Sequence, residues 1–143
     1  MNLKDFLNVR ISDLAVMYIK LHRFHWFVEG SGFYALHEKF EELYDETTGF
    51  FDEFAERLLA IGGTPASTMK QYLALAEISE EGNEVKPKDI FEALIKDYNF
   101  LAEALKKGVG MAQDAEDEPT ADLFIGTIST LEKHIWMFKQ SIK

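Results

Sequence analysis

The chain has 143 residues, no cysteine and a formal net charge of −10, from 15 Lys+Arg against 25 Asp+Glu. That length suits one domain with a sizeable core, and the missing thiols exclude disulfides and thiolate metal sites. The charge opposes nucleic acid and anionic membranes, since no basic patch is segregated, and makes cations the natural partners. The first ten residues, MNLKDFLNVR, lack a basic stretch followed by an apolar run, so no secretory signal is expected. No segment approaches the roughly eighteen apolar residues of a membrane span, and a cytoplasmic protein without membrane contact is expected.

The hydrophobic pattern is helical almost throughout. Leu7, Ile11, Leu14, Tyr18, Leu21, His25 and Val28 recur at alternating steps of four and three, the stripe of a bundle helix. Gly30-Ser31-Gly32 breaks it. A second helix follows with Phe33, Leu36, Phe40, Leu43, Thr47, Phe50, Phe54 and Ile61, stopped by Gly62-Gly63 and Pro65. Residues 67–76, STMKQYLALA, predict a short connecting helix, and SEEGNEVK a polar linker. Pro87 suits the first turn of a third long helix, with Asp89 near its positive end and Ile90, Leu94, Tyr98, Leu101, Leu105 and Val109 as its stripe. The acidic break QDAEDEPTAD precedes a fourth, carrying Leu123, Ile128, Leu131, Ile135 and Phe138. Four long amphipathic helices and a short one in the connection between the second and third predict an all-α four-helix bundle, a single domain over residues 1–143.

The second helix has a polar face of its own. With His37 at zero and about 100° per residue, Glu41 falls at about +40°, Asp52 at about +60° and Glu56 at about +100°, away from the core stripe at about −100°. Tyr44, Thr48, Phe51, Ala55 and Leu59 lie within about 40° of zero, so the helix is apolar over half its circumference and predicts a second buried contact, with another subunit. His37 and Asp52 are separated by about 22 Å of helix and cannot share an ion within one chain. Two copies packed antiparallel about a two-fold axis would bring His37 of one beside Asp52 and Glu56 of the other, giving two equivalent sites. His25 could join His37 across the glycine loop. Imidazole and carboxylate without thiolate suit Fe(II), Mn(II) or Zn(II), and the spacing does not choose among them.

Residues 25–63, HWFVEGSGFYALHEKFEELYDETTGFFDEFAERLLAIGG, resemble the H-W…G…F…LH…F…Y…D…AER…GG pattern of the Dps-type ferritin-like proteins, or mini-ferritins, and TPASTMKQYL and KHIWMF add to the likeness. The resemblance implies a homo-oligomeric cage of twelve subunits with a pair of ferroxidase sites at each two-fold interface. His25 and His37 would come from one subunit, and Asp52 and Glu56 from its mate. Glu41 matches a position that can contact a second iron. Fe(II) would be oxidised there, preferentially by hydrogen peroxide and more slowly by dioxygen, and stored as ferric mineral, which protects against oxidative damage. Asp114, Glu118 and Asp122 would line pores that admit iron. The Lys-rich N-terminal tail of DNA-binding members is not seen, so DNA binding is expected to be unlikely. Two rival expectations are a DNA-condensing nucleoid protein and a cage or dimer that binds zinc or manganese without oxidase activity. Neither His37, with Tyr34 three positions before it, nor His134, with Leu131, makes the Glu-x-x-His pair of larger ferritins. His22 is expected to serve structure or an interface, and His134 packing or surface.

Overall fold

The computed structural model describes all 143 residues and contains five helices and no strand. They are α1 (Leu3–Phe27), α2 (Phe33–Ala60), α3 (Met69–Leu75), α4 (Pro87–Asp114) and α5 (Glu118–Ser141). The chain is therefore all-α, with four long helices and a short one between the second and third. No helix is long and apolar enough to cross a membrane. Two compact units are present, Lys4–Ile90 and Phe91–Lys143 with Met1–Leu3.

In the first unit, Leu7, Ile11, Leu14 and Leu21 of α1 and Phe40, Leu43, Thr47 and Phe54 of α2 are buried at predicted stripe positions, and Phe24 and Leu58, outside the predicted stripes, are buried with them. Phe24 and Phe40 meet with ring centroids 6.3 Å apart. α2 stops where Gly62 turns left-handed, at φ +90°, and the Gly62 and Gly63 amides donate to the carbonyls of Leu59 and Leu58 at 3.0 and 2.9 Å. A side chain at Gly63 would collide with Leu58, so glycine there allows the close approach, while Gly62 makes the turn. The predicted connecting helix is α3, fixed by a capping box in which Thr68 Oγ1 accepts from the Gln71 amide and Gln71 Oε1 from the Thr68 amide, both at 3.1 Å.

α1 buries more than its predicted stripe. Arg10, Ser12, Asp13 and Lys20 are also buried, and the connection from α2 to α4 is laced along this helix through Arg10 and Asp13 among others. Asn8 donates to the Thr64 carbonyl at 2.9 Å and accepts from the Ala66 amide at 2.8 Å. Asp13 Oδ1 accepts from the Glu77 and Ile78 amides at 2.7 and 2.9 Å, while Arg10 pairs with Asp13 at 3.0 Å and with Glu77. Further on, Arg23 donates to the Glu80 carbonyl and the Glu29 amide to the Val85 carbonyl, both at 2.8 Å. The partners advance together in both segments. The connection therefore runs parallel to α1 from its first turns to its last, and delivers the chain to Pro87 beside the His25 end.

In the second unit, α4 and α5 share an aromatic cluster in which Phe138 touches Phe91 and Tyr98 with centroids 5.6 and 5.1 Å apart. His134 stacks on Phe138 at 5.8 Å, the packing role expected of it. The predicted acidic break is shorter than QDAEDEPTAD. Asp114 closes α4 and Glu118 opens α5, leaving three residues between them. Glu116 takes a left-handed φ of 57°, the Asp117 amide reaches back to the Ala112 carbonyl at 2.8 Å, and Asp117 then caps α5 by accepting from the Thr120 amide at 3.1 Å. Capping chemistry in the acidic residues thus shortens a stretch that composition alone reads as a loop.

Candidate metal centre

His25 lies in the last turn of α1 and His37 in the second turn of α2, joined by residues 28–32. Their imidazoles are stacked, with centroids 3.7 Å apart and planes 14° from parallel. The contacts are reciprocal: His25 Nδ1 donates to the His37 carbonyl at 2.6 Å, and His37 Nδ1 to the His25 carbonyl at 2.8 Å. The His25 carbonyl is among the last four of α1, which have no partner within the helix, so the His37 side chain also caps α1. A carbonyl can only accept, so each Nδ1 carries a proton, and the tautomer this selects has its lone pair on Nε2. An Nδ1–H held by a carbonyl, with Nε2 left as donor atom, is the arrangement of metal-binding histidines.

Glu41, one turn beyond His37, brings Oε1 to 4.0 Å from His25 Nε2. His25 is only 7% exposed, whereas Glu41 is exposed. Phe33 stacks on His37 at 5.1 Å, and Tyr44 stands perpendicular to His25 at 5.3 Å. Burial, and then the charges of Glu41 and Asp45, push the Tyr44 phenol above its ordinary pKa, so this ring stays neutral. Neither aromatic is marked as part of a site by the sequence. Their spacing from the histidines, four positions before His37 for Phe33 and one turn after Glu41 for Tyr44, is the signal that could have found them.

Asp52 and Glu56 are both exposed, one turn apart on α2, and form a close pair. A hydrogen bond from Glu56 to Asp52, then the Asp52 charge, raises the Glu56 carboxyl above its usual range. Two carboxylates this close are a ready acceptor for a divalent cation, which relieves their mutual repulsion. The two groups, His25/His37/Glu41 at the corner between α1 and α2 and Asp52/Glu56 farther along α2, are separate, and the chain contains no set of three or more such residues able to hold one ion. Of the three candidate pore acids, Glu118 and Asp122 lie one turn apart on α5, while Asp114 belongs to the end of α4; all three are exposed. His22 faces Tyr44 in a stack with centroids 3.7 Å apart, a structural position.

The chain as a whole is similar to known proteins. A family model described as a ferritin-like domain matches residues 4–143. The chain is 47% identical over 135 residues to the "DNA protection during starvation protein 2" of Bacillus anthracis, across 94% of this chain and 92% of the relative. The crystal structure of Dps from Bacillus brevis superposes with a TM-score of 0.96 at 39% identity, covering 99% of this chain and 95% of that one. Dps from Listeria innocua soaked with zinc gives 0.95 at 38% identity, over 99% and 96%. The fold is thus the four-helix bundle of these proteins, with the short helix in its connection. A relative named for DNA protection gives no support to the expectation that DNA binding is unlikely.

Proposed function

Because the chain belongs to the ferritin-like domain family, among the Dps proteins, we propose that it is a mini-ferritin that takes Fe(II) as substrate, oxidises it and stores the ferric product. The observation that carries this reading is the His25/His37 pair, with both Nδ1 atoms held by main-chain carbonyls and both Nε2 atoms left as donors. Asp52 and Glu56 of a two-fold mate complete the site, since a single chain does not bring them to the histidines. The working protein is therefore an oligomer, of twelve subunits by the family's pattern, and its location is cytoplasmic.

The stacked rings favour two ions over one. An imidazole lone pair lies in the ring plane, and a metal sits about 2.1 Å along it. Planes 14° from parallel and stacked at 3.7 Å do not meet within that range, so His25 and His37 each serve their own Fe(II). Glu41, whose Oε1 lies 4.0 Å from His25 Nε2, is the carboxylate assigned to the second ion by the family's pattern. Two Fe(II) supply two electrons, which is what hydrogen peroxide needs: with two protons its O–O bond breaks and two waters form. Peroxide consumed by both electrons together releases no hydroxyl radical, and it is the oxidant that this reading prefers to dioxygen. Glu118 and Asp122, with Asp114, supply exposed carboxylates along the entry path for the cation.

Anaerobic loading with Fe(II), followed by peroxide, tests the reading. Ferric absorbance should develop with two Fe(II) consumed per peroxide, and His25→Ala combined with Asp52→Ala should slow it by at least tenfold. Equal rates in wild type and double variant would sink the site; Zn(II) or Mn(II) binding with no Fe(II) oxidation would sink the activity. A second reading, direct contact with DNA, is favoured by the relative's name. Against the −10 charge it requires a bridging cation, and retarded DNA in a gel-shift assay at low salt would establish it.

A further inference from the structure

The reciprocal bonds and the stack leave one freedom to the His25 ring. A ring held by a single hydrogen bond at Nδ1 and a partner on one face can still tilt about that bond, and a tilt moves Nε2 most, because it lies farthest from the pivot. Tyr44 blocks this motion. Its ring stands at 88° to His25, with centroids 5.3 Å apart, on α2 one turn after Glu41. Tyr44 is itself backed by His22, stacked on it at 3.7 Å and 17°. His22 is locked in turn: its Nδ1 donates to the Tyr18 carbonyl at 2.8 Å, and the Tyr18 ring meets it at 4.4 Å and Tyr44 at 6.0 Å. Tyr18, His22 and His25 occupy successive turns of α1, so the helix that carries the ligand also carries the support for the ring that holds it.

We propose that Tyr44 is a positioning residue that fixes the direction of the His25 Nε2 lone pair, with His22 as the buttress behind it. This rests on the ferroxidase reading above. The role belongs to the flat ring and not to the phenol hydroxyl. Removing the ring should loosen the metal geometry while leaving both helices intact. Removing only the hydroxyl should not.

The test uses the full-length assembled protein, with Co(II) as a spectroscopic probe and Fe(II) plus peroxide as the reaction. Tyr44→Leu should weaken Co(II) binding about tenfold and alter its visible d–d bands, as loss of a supporting residue around a metal does, with native mass unchanged. Tyr44→Phe should restore affinity, bands and oxidation rate. His22→Leu, which leaves Tyr44 in place but unbacked, should shift the bands in the same direction by less, and it reads the same support should Tyr44→Leu fail to assemble. Wild-type affinity and bands in Tyr44→Leu, or in His22→Leu where that alone assembles, would overturn the proposal. So would a loss in Tyr44→Phe equal to that in Tyr44→Leu, which would assign the effect to the hydroxyl. Failure of the underlying reading looks different: the wild type itself would bind no Co(II) and oxidise no Fe(II).

Discussion

Asp13 shows how a charged side chain can be spent on chain path. It is buried, accepts two amides from the connection and pairs with Arg10. Burial nevertheless outweighs the Arg10 charge and the two amides, so its carboxyl sits above 3.8. The native chain thus takes up this proton before the unfolded chain does. The resulting stabilisation is complete below 3.8 and is lost as pH rises through the folded value. Asp13→Asn removes the titration, so the stability of wild type relative to Asp13→Asn should grow as pH falls toward that value, in urea unfolding at several pH values. An ion pair that dominated would give the opposite slope. Asp13→Ala strands two buried amides and leaves Arg10 with Glu77 alone, and should cost about 3 kcal/mol at neutral pH. None of this was legible in the sequence. Arg10 and Asp13 fall outside the apolar stripe of the first helix, and their partner at Glu77 lies 67 positions from Arg10. The approach of His25 to His37 was legible, because the glycine break between two helical stripes folds the second helix back on the first.

Helices and their order were the most legible level, since periodicity and breakers act locally. What was missed is what depends on distant contacts or on cap geometry. The α4–α5 joint is the clear case, where Glu116 holds a left-handed φ of 57° that glycine adopts without penalty. Glu116→Gly should raise stability by about 0.5 kcal/mol, the relief of the turn less the entropy that glycine adds to the unfolded chain. Gly62→Ala should do the reverse at the end of α2, where φ is +90°, and cost about 1 kcal/mol. Paired thermal melts of the two variants check both signs. Gly30, at φ +120°, imposes the same requirement on the loop between the histidines. There the penalty would fall on the relative placement of His25 and His37 as well as on stability.

At the scale of the whole molecule, the exposed apolar residues of α2 agree with a mate in the proposed two-fold arrangement. If His37 stands level with Asp52 and Glu56 of the partner subunit, Leu59 comes level with the partner's glycine loop and Tyr34. Leu59 is 59% exposed and Tyr34 87% in the isolated chain, as surfaces awaiting each other would be. Leu59→Glu places a charge in that contact. It should lower the native mass toward the monomer, with helicity by circular dichroism retained, and Fe(II) oxidation should fall with the assembly. An intact cage would place the interface elsewhere. The reciprocal bonds between His25 and His37 carry a consequence of another kind. A cation on Nε2 withdraws electron density and makes the Nδ1 proton more acidic, which strengthens its bond to the carbonyl across the joint. Iron bound on one side of each ring, as proposed, would therefore tighten the corner between α1 and α2 on the other. Amide hydrogen exchange at residues 28–32 becomes a gauge of occupancy, slowing as the centre fills and recovering when a chelator empties it.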